Sequence, residues 1–434
     1  MKVAIIGSGY VGLTTGVCLA EIGHQVICLD NNQKKLAKLK QGQSPIFEPG
    51  LENLIAKNLK NGKLSFDDNI KSAVKNSEII FICVNTPPKP DGQADLSFVE
   101  AVTKEIALAL NHDHKIIVDK STVPIKTAEK VKETLLHLSV DEAKFDVVSN
   151  PEFLREGTAV KDTMAPDRIV IGVDSDLARE TMLKLYQPII EKTKTPVKIV
   201  SVRSAELIKH GANTFLANKI SFANLIAQVC EEADADALEV LSAIGLDERI
   251  GNQFLSPGIG FGGSCFPKDI TAFKKTLEIL GIDNNLIQSI QNINDQAISR
   301  FIKKIKKELW DLDGKKIAVL GLAFKANTDD IRNAPVLKII NELKKDKARI
   351  IAYDPKAMEN TKKIIPDIEY AKDAYEAINQ AQALIIGTDW EEFKRLDLHK
   401  VKELMIEPII FDGRNIFDPS LVKTIGFRYF GVGR

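Results

Sequence analysis

From Lys2 to about Val200, short β-branched apolar runs alternate with segments whose apolar residues recur every three or four positions. That alternation is the pattern of parallel strands joined by crossover helices. KVAIIG, QVICLD, EIIFICV, KIIVDK, DVVSN and RIVIGV predict strands, and VGLTTGVCLAEIG, LENLIAKNLKNG, FVEAVTKEIALALN and TAEKVKETLLHLS predict helices between them. Between 201 and 300 strand-like runs nearly vanish. SAELIKHGANTFLANKISFANLIAQVCEEA reads as one helix of about 30 residues, about 45 Å long, with apolar residues nearly all round it. Such a helix suits a link between two bodies or a contact with its counterpart in another subunit. From Gly314 the alternation returns in KKIAVLGLAF, VLKIINELKKDKA, RIIAYDP, ALIIGT and PIIFDG. These strands echo the first set by position, with an Asp or Thr at a strand's C-terminal end, where open α/β sheets bind ligands. The expected architecture is α/β, with doubly wound domains over 1–200 and 301–434 joined by a helical central domain over 201–300.

Composition narrows the function classes. The 434 residues carry 59 basic and 59 acidic side chains, scattered along the chain, so the electrostatic footprint of nucleic-acid binding is missing. No apolar run approaches the ~18–20 residues of a membrane span, and the chain opens directly into MKVAIIGSG. The expectation is a cytoplasmic protein with neither nucleic acid nor membrane as partner. Five cysteines in so long a chain do not read as a disulfide framework. Cys18, Cys28, Cys83 and Cys230 sit in apolar segments, whereas Cys265 does not.

Gly7-Ser8-Gly9-Tyr10-Val11-Gly12 is a G-x-G-x-x-G between a predicted strand and a predicted helix. Gly7 permits the turn, Gly9 lets the backbone approach a pyrophosphate, and Gly12 allows close helix packing. Asp30 ends the next strand about twenty residues on, where a carboxylate accepts the ribose hydroxyls of NAD and repels a 2′-phosphate. The first domain is therefore Rossmann-like and NAD is the expected cofactor, with Lys34 and Lys35 nearby as the counter-argument for NADP.

A second cluster surrounds Cys265. Gly258-Ile259-Gly260-Phe261-Gly262-Gly263-Ser264-Cys265-Phe266-Pro267-Lys268-Asp269 concentrates glycines before the thiol and a Lys/Asp pair after it. Such a loop lets backbone approach a ligand, and Lys268 and Lys209 would favour the thiolate. A thiolate beside NAD suggests two successive oxidations: an alcohol becomes an aldehyde, the thiolate traps it as a thiohemiacetal, and a second oxidation gives a thioester that water hydrolyses to a carboxylate. Lys209 and Asn213, four apart on the long helix, project from one face and suit an oxyanion or a water. In Asn150-Pro151-Glu152-Phe153-Leu154-Arg155-Glu156-Gly157 two carboxylates lie four apart at a strand end, one suited to act as a general base or to charge a helix N-terminus. Thr122, in KSTVP, occupies another strand end.

Together GSGYVG, KSTVP, NPEFLREG, PDRIVIG, ELIKHGANTFLANKISFAN, GIGFGGSCFPKD and AFKANTDDIR resemble, over essentially the whole chain, the UDP-glucose/GDP-mannose dehydrogenase family. Its members oxidise a sugar C6 alcohol to a carboxylate with two NAD. The resemblance implies Cys265 as nucleophile, Lys209, Asn213 and Asp269 around C6, Glu156 as base for thioester hydrolysis, and Thr122 near the nicotinamide. It implies a cofactor set of Gly7, Gly9, Tyr10, Val11, Gly12, Asp30, Lys35, Thr86, Thr122, Glu156, Lys268 and Arg332. The sugar nucleotide falls to Glu152, Phe153, Leu154, Arg155 and Glu156, to Lys209 and Asn213, to Phe254, Leu255, Ser256, Pro257 and Gly258, and to Gly262 and Lys325. Arg249 resembles an arginine that reaches the sugar from a neighbouring subunit, which implies a homodimer. FGGSCFPKD and PDRIVIG look more like the branch acting on UDP-glucose than those acting on GDP-mannose or UDP-N-acetylhexosamines. His210 departs from the commoner Tyr and leaves Lys209 and Asn213 intact. An NAD-binding sensor without chemistry and a two-electron hydroxy-acid dehydrogenase are the alternatives; neither has a use for the Cys265 loop.

Overall fold

A computed structural model describes residues 1–110, 113–138 and 140–434. The chain forms two compact units, Met1–Ala212 with Thr271–Ile282, and Asn213–Ile270 with Asp283–Arg434. The chain passes from the first to the second within one helix, Val202–Ala233, whose 32 residues bear out the expected long helix.

The first unit carries an eight-stranded sheet: β1 Lys2–Ile6, β2 Gln25–Leu29, β3 Leu64–Asp67, β4 Ile79–Ile82, β5 Lys115–Asp119, β6 Phe145–Ser149, β7 Ile169–Gly172 and β8 Val197–Val200, in the order β3-β2-β1-β4-β5-β6-β7-β8. All neighbours are parallel except β6 and β7. Both faces are buried, which is why the central strands read as unbroken apolar runs. Val3 and Ile5 of β1 pack into one core with Leu13 and Val17 of the helix Tyr10–Glu21. Ala4 and Ile6 pack into the other with Val99, Val102 and Ile106.

The second unit holds a fully parallel six-stranded sheet: β9 Lys316–Leu320, β10 Arg349–Tyr353, β11 Glu369–Tyr370, β12 Ala383–Ile386, β13 Ile409–Asp412 and β14 Arg428–Phe430, in the order β11-β10-β9-β12-β13-β14. Counted along the chain this is the 3-2-1-4-5-6 order of the first six strands, so both expected doubly wound sheets are present with the topology of dinucleotide-binding folds. Strands β3, β8, β11 and β14 carry no strong apolar run and lie outside the predicted set. β8 is an edge strand with both middle residues exposed, and β11 has two residues. Helices alone fill the chain between β8 and β9.

Two features of the first unit set its tolerances. Gly7 adopts a left-handed φ of 98°, and a Cβ at Gly12 would overlap the Gly7 carbonyl oxygen and crowd Cys83. Gly12→Ala should therefore lower unfolding free energy by about 1–3 kcal/mol, measured by chemical denaturation. On the long helix, buried Glu206 accepts hydrogen bonds from the backbone N–H of Lys126 (2.6 Å) and Ala128 (2.9 Å), capping the helix Thr127–His137. Burial pushes its carboxyl up to about 7 against the pull of those amides. A glutamate in the unfolded chain titrates near ~4.3, so the folded chain holds this proton more tightly. Stability should fall as pH rises from about 4 to 7 and level off above. The stability difference between wild type and Glu206→Gln, followed by denaturation across that window, should change by roughly 3 kcal/mol.

Candidate active site

In the first unit the turn Gly7-Ser8-Gly9 leaves β1 and runs into the helix Tyr10–Glu21, whose N-cap, Gly9, offers no side-chain acceptor to the first-turn amides. Amides so placed fit a pyrophosphate, the group the glycine spacing predicts. Asp30 ends β2. Its Oδ2 accepts from the Ser8 N–H at 3.2 Å and pairs with Lys35 Nζ at 2.5 Å, while Oδ1 accepts from the Asn32 N–H at 3.0 Å. The carboxylate is thus oriented at the mouth of the turn, with its charge offset by the lysine the sequence grouped with it.

Beyond β4 and β5, the buried Thr86 hydroxyl donates to the Thr122 carbonyl at 2.7 Å, and His210 Nε2 lies 2.7 Å from the Val123 carbonyl oxygen. The Thr122 backbone is therefore held from two sides. Lys120, fully enclosed, donates to Asn150 Oδ1 (3.0 Å) and O (3.2 Å), and burial pulls its ammonium down to about 8. After β6, Asn150 leads into the segment carrying both carboxylates. Glu152 forms a buried ion pair with Lys209, Oε1 to Nζ at 2.8 Å with each side chain 5% exposed, and its other oxygen accepts from the Leu154 N–H. Phe153 lies under Lys209 and Arg168, 5.5 and 3.8 Å from its ring centre. Glu156 is buried, whereas Arg155 is half exposed and committed to Asp162 through Nε and Nη2 at 2.9 and 2.7 Å.

In the second unit Cys265 opens the helix Cys265–Ile279 and is partly exposed, with Ser264 Oγ 3.5 Å from its sulfur. Burial pushes the thiols of Cys18 and Cys83 up to about 12 and raises those of Cys28 and Cys230 too. One turn on, the buried Asp269 carboxylate takes Asn213 Nδ2 on Oδ2 at 2.6 Å and Lys268 Nζ on Oδ1 at 2.7 Å. Asn213, Lys268 and Asp269 thus form one cluster at the base of the cysteine helix.

The glycine-rich loop before Cys265 is fastened along its length. Asn224 Oδ1 accepts from the Gly258 N–H at 2.8 Å, and the Ile259 N–H donates to the Gly413 carbonyl at 3.0 Å. Asn294 exchanges two hydrogen bonds with Phe261, and the Gly263 N–H donates to the Arg332 carbonyl at 2.8 Å. Arg414, partly buried, donates to the carbonyls of Gly260 (3.2 Å), Phe324 (3.0 Å) and Gly387 (3.0 Å). Gly262 lies against the Asn333 carbonyl, where a Cβ would not fit. Upstream, Phe254 takes a left-handed φ of 63° and tilts against Phe266; Leu255, Pro257 and Gly258 are buried and Ser256 is exposed. Lys325 Nζ lies 5.5 Å from the Phe324 ring centre, and Arg332 is bidentate to Asp330. Arg249 is 89% exposed on a turn and, among the described residues, pairs along its own loop with Asp247.

Within each unit, then, the residues picked out in the sequence fall into contact sets: Gly7 to Gly12 with Asp30 and Lys35; Thr86 with Thr122; Glu152 with Lys209; and Asn213, Lys268 and Asp269 beside Cys265. Asn224, Asn294 and Arg414 escaped the sequence reading. The one signal for Arg414 was its place just past the strand PIIFD, at a sheet's C-terminal edge. Among the described residues no group of His, Cys, Asp and Glu side chains suits a metal ion, and no helix is long and apolar enough to cross a membrane.

Three family models of the UDP-glucose/GDP-mannose dehydrogenase family match the chain: the NAD-binding domain over 1–190, the central domain over 203–296 and the UDP-binding domain over 318–419. The chain is 46% identical to the UDP-glucose 6-dehydrogenase of Rhizobium meliloti (strain 1021), over 100% of each. It is 45% identical to the UDP-glucose 6-dehydrogenase TuaD of Bacillus subtilis (strain 168), over 100% of this chain and 93% of that one. A solved UDP-glucose dehydrogenase from Pyrobaculum islandicum superposes with a TM-score of 0.92 at 36% identity, over 99% of this chain and 97% of its own. A UDP-D-ManNAc dehydrogenase from Pyrococcus horikoshii superposes at 0.87 and 29% identity, over 100% and 99%. With every one of its three domains matched in order and full-length relatives on both sequence and structure, the chain belongs to the UDP-glucose/GDP-mannose dehydrogenase family and carries that family's NAD-binding domain.

Proposed function

We propose that the protein oxidises UDP-glucose to UDP-glucuronate in two NAD-dependent steps through a thiohemiacetal and a thioester on Cys265. The observation that carries this reading is the contrast among the cysteines: four are buried with raised thiols, and one stands partly exposed at a helix N-terminus at the end of a glycine-rich loop. NAD, when bound, accepts a hydride at each oxidation, and Gly7, Gly9, Tyr10, Val11, Gly12, Asp30, Lys35, Thr86, Thr122, Lys268 and Arg332 are the residues proposed to hold it.

The remaining chemistry belongs to this chain. The C6 hydroxyl loses its proton to a water held by Asp269 and Lys209, or to Lys209 itself. The Cys265 sulfur, favoured as an anion by the amides of its helix N-terminus, then bonds to the aldehyde carbon, and Asn213 and Lys209 steady the oxygen. In the last step Glu156 takes a proton from water as it attacks the thioester carbonyl, the carbon–sulfur bond breaks and the thiolate is regenerated. Glu152 to Glu156, Phe254 to Gly258, Gly262 and Lys325 are proposed to seat the sugar nucleotide. The identities to UDP-glucose 6-dehydrogenases of 45–46% favour UDP-glucose over the substrate named for the P. horikoshii protein. Five cysteines outside any disulfide accord with a cytoplasmic location.

We also propose a homodimer in which Arg249 of the partner subunit reaches the sugar. Phe215, Phe222 and Val229, 64%, 42% and 57% exposed at a spacing of seven on the long helix, form an apolar stripe suited to a second copy.

Three measurements check this reading. Wild-type protein should release two NADH per UDP-glucose and turn it over faster than GDP-mannose, UDP-N-acetylglucosamine or UDP-N-acetylmannosamine, and Cys265→Ala should form no UDP-glucuronate; one NADH per sugar, or none with tight NAD binding, would instead support the two-electron or sensor reading. Phe215→Glu with Phe222→Glu should convert the dimer to monomer in analytical ultracentrifugation. Mixing impaired Arg249→Ala with inactive Cys265→Ala should restore roughly a quarter of wild-type activity per subunit, since each mixed dimer holds one complete site; an arginine acting within its own subunit would restore none.

A further inference from the structure

The first unit contains a buried polar cluster built on Glu48, a residue given no part so far in the hydride steps or the thiol chemistry. Glu48, in the Ser44-Pro45-Ile46-Phe47-Glu48-Pro49-Gly50 segment, is 5% exposed. Its Oε2 accepts from the Gly157 N–H at 2.7 Å and from the Tyr10 hydroxyl, while Oε1 lies 3.5 Å from the Val160 N–H. The Tyr10 oxygen is also within 3.0 Å of the Gly157 N–H, closing a three-membered set whose parts are 38 and 109 residues from Glu48 in sequence.

The two ends of this set are functional segments. Tyr10 is the first residue of the helix that follows Gly7-Ser8-Gly9. Gly157 directly follows Glu156 and takes a left-handed φ of 83°, so the backbone turns sharply at the residue Glu48 holds. A carboxylate accepting an amide at this distance makes a charge-assisted hydrogen bond, stronger and more directional than a neutral one. Burial, and then the hydrogen bond to Glu48, raise the Tyr10 phenol far above its usual range, so it remains a donor at any working pH. The segment that supplies the acceptor is itself braced: Ser44 Oγ donates to the Ile46 carbonyl at 2.7 Å, and the Ser44 N–H to Glu52 at 2.8 Å.

We infer that Glu48 is a positioning residue: through Gly157 it fixes the backbone that carries Glu156, and through Tyr10 it registers that backbone against the dinucleotide-binding turn. This inference rests on the proposal that Glu156 is the base for thioester hydrolysis, and it adds the device that aims that base. A glutamine at 48 keeps the shape but loses the charge: its one carbonyl oxygen can meet the Gly157 amide and the Tyr10 hydroxyl only with its N–H₂ turned against the Val160 amide, so the charge-assisted hold on Gly157 weakens and Glu156 is aimed less firmly. Displacements of about 1 Å at a reacting group cost up to ~100-fold in rate.

The test uses full-length Glu48→Gln, Tyr10→Phe, Glu156→Gln and the double variant Glu48→Gln/Glu156→Gln. Glu48→Gln should lower kcat about tenfold to a hundredfold with KM for UDP-glucose and NAD within about threefold, and Tyr10→Phe should lower kcat more mildly. Acid-quenched samples of Glu48→Gln should carry the sugar-nucleotide thioester on Cys265, detected as added mass. In the double variant the Glu48 change should add less than about twofold to the loss already caused by Glu156→Gln. The positioning role is overturned if Glu48→Gln keeps wild-type kcat, if its loss multiplies in full onto that of Glu156→Gln, or if it only raises KM for NAD. The role of Glu156 is judged separately: Glu156→Gln without accumulated thioester refutes Glu156 as the base, and Glu48→Gln must then still copy whatever defect Glu156→Gln shows. If Glu48→Gln unfolds, Tyr10→Phe in the Glu156→Gln background decides by the same additivity criterion.

Discussion

Burying a charge costs several kcal/mol even after relaxation unless a well-placed partner repays it, and the architecture is organised around places where that debt is met. The Lys209–Glu152 pair, 2.8 Å apart and nearly sealed from water, is the central one. The pair fixes the helix Val202–Ala233 against the segment that leaves β6. Glu152 then uses its second oxygen to hold the Leu154 amide, Phe153 lies beneath the lysine, and Lys120 sits enclosed against Asn150. Four residues further along the same helix the principle recurs, with Asn213 and Lys268 each holding one oxygen of the buried Asp269.

What the sequence made legible follows from the same physics. Strands buried on both faces must be apolar throughout, so β1, β2, β4, β5, β9, β10, β12 and β13 stood out as runs. The edge strands β3, β8, β11 and β14 are short or half exposed and left no such mark. The glycine turn, Asp30 and the Cys265 loop were readable because their chemistry depends on neighbours in sequence. Arg414, Asn294 and Glu48 were not, because their partners are backbone carbonyls and amides 27 to 154 residues away. A residue type announces its capacity for hydrogen bonding but not which distant amide it will meet. Glu206 shows the same limit: on paper it is one charge on a long helix, and in the fold it caps another helix from the side.

The two sheets share one strand order yet differ in how they treat ligand-facing loops. In the first, Asp30 past β2 takes one amide of the loop after β1, that of Ser8, and the N-cap Gly9 offers the following helix no side-chain acceptor. In the second, the equivalent loop after β9 is closed down: Asp354, past β10, accepts from the Leu322 and Ala323 amides at 2.7 and 3.1 Å, and Arg414 grips the Phe324 carbonyl. The second sheet's carboxylate thus takes two successive loop amides where the first sheet's takes one, which leaves fewer backbone donors free beyond β9. A chain with no net charge can still bind an anionic ligand because a few cations at chosen positions suffice.

The cysteine distribution also determines how the protein ages. Four thiols are shielded by burial that both blocks access and disfavours the anion, so peroxides and electrophiles reach them slowly. Cys265 is partly exposed, so an oxidant has a path to its sulfur that the other four lack. Thiol oxidation in this molecule is therefore directed first to one sulfur, and on the proposed reaction that change would leave the two sheets and their buried pairs intact as folded but silent protein.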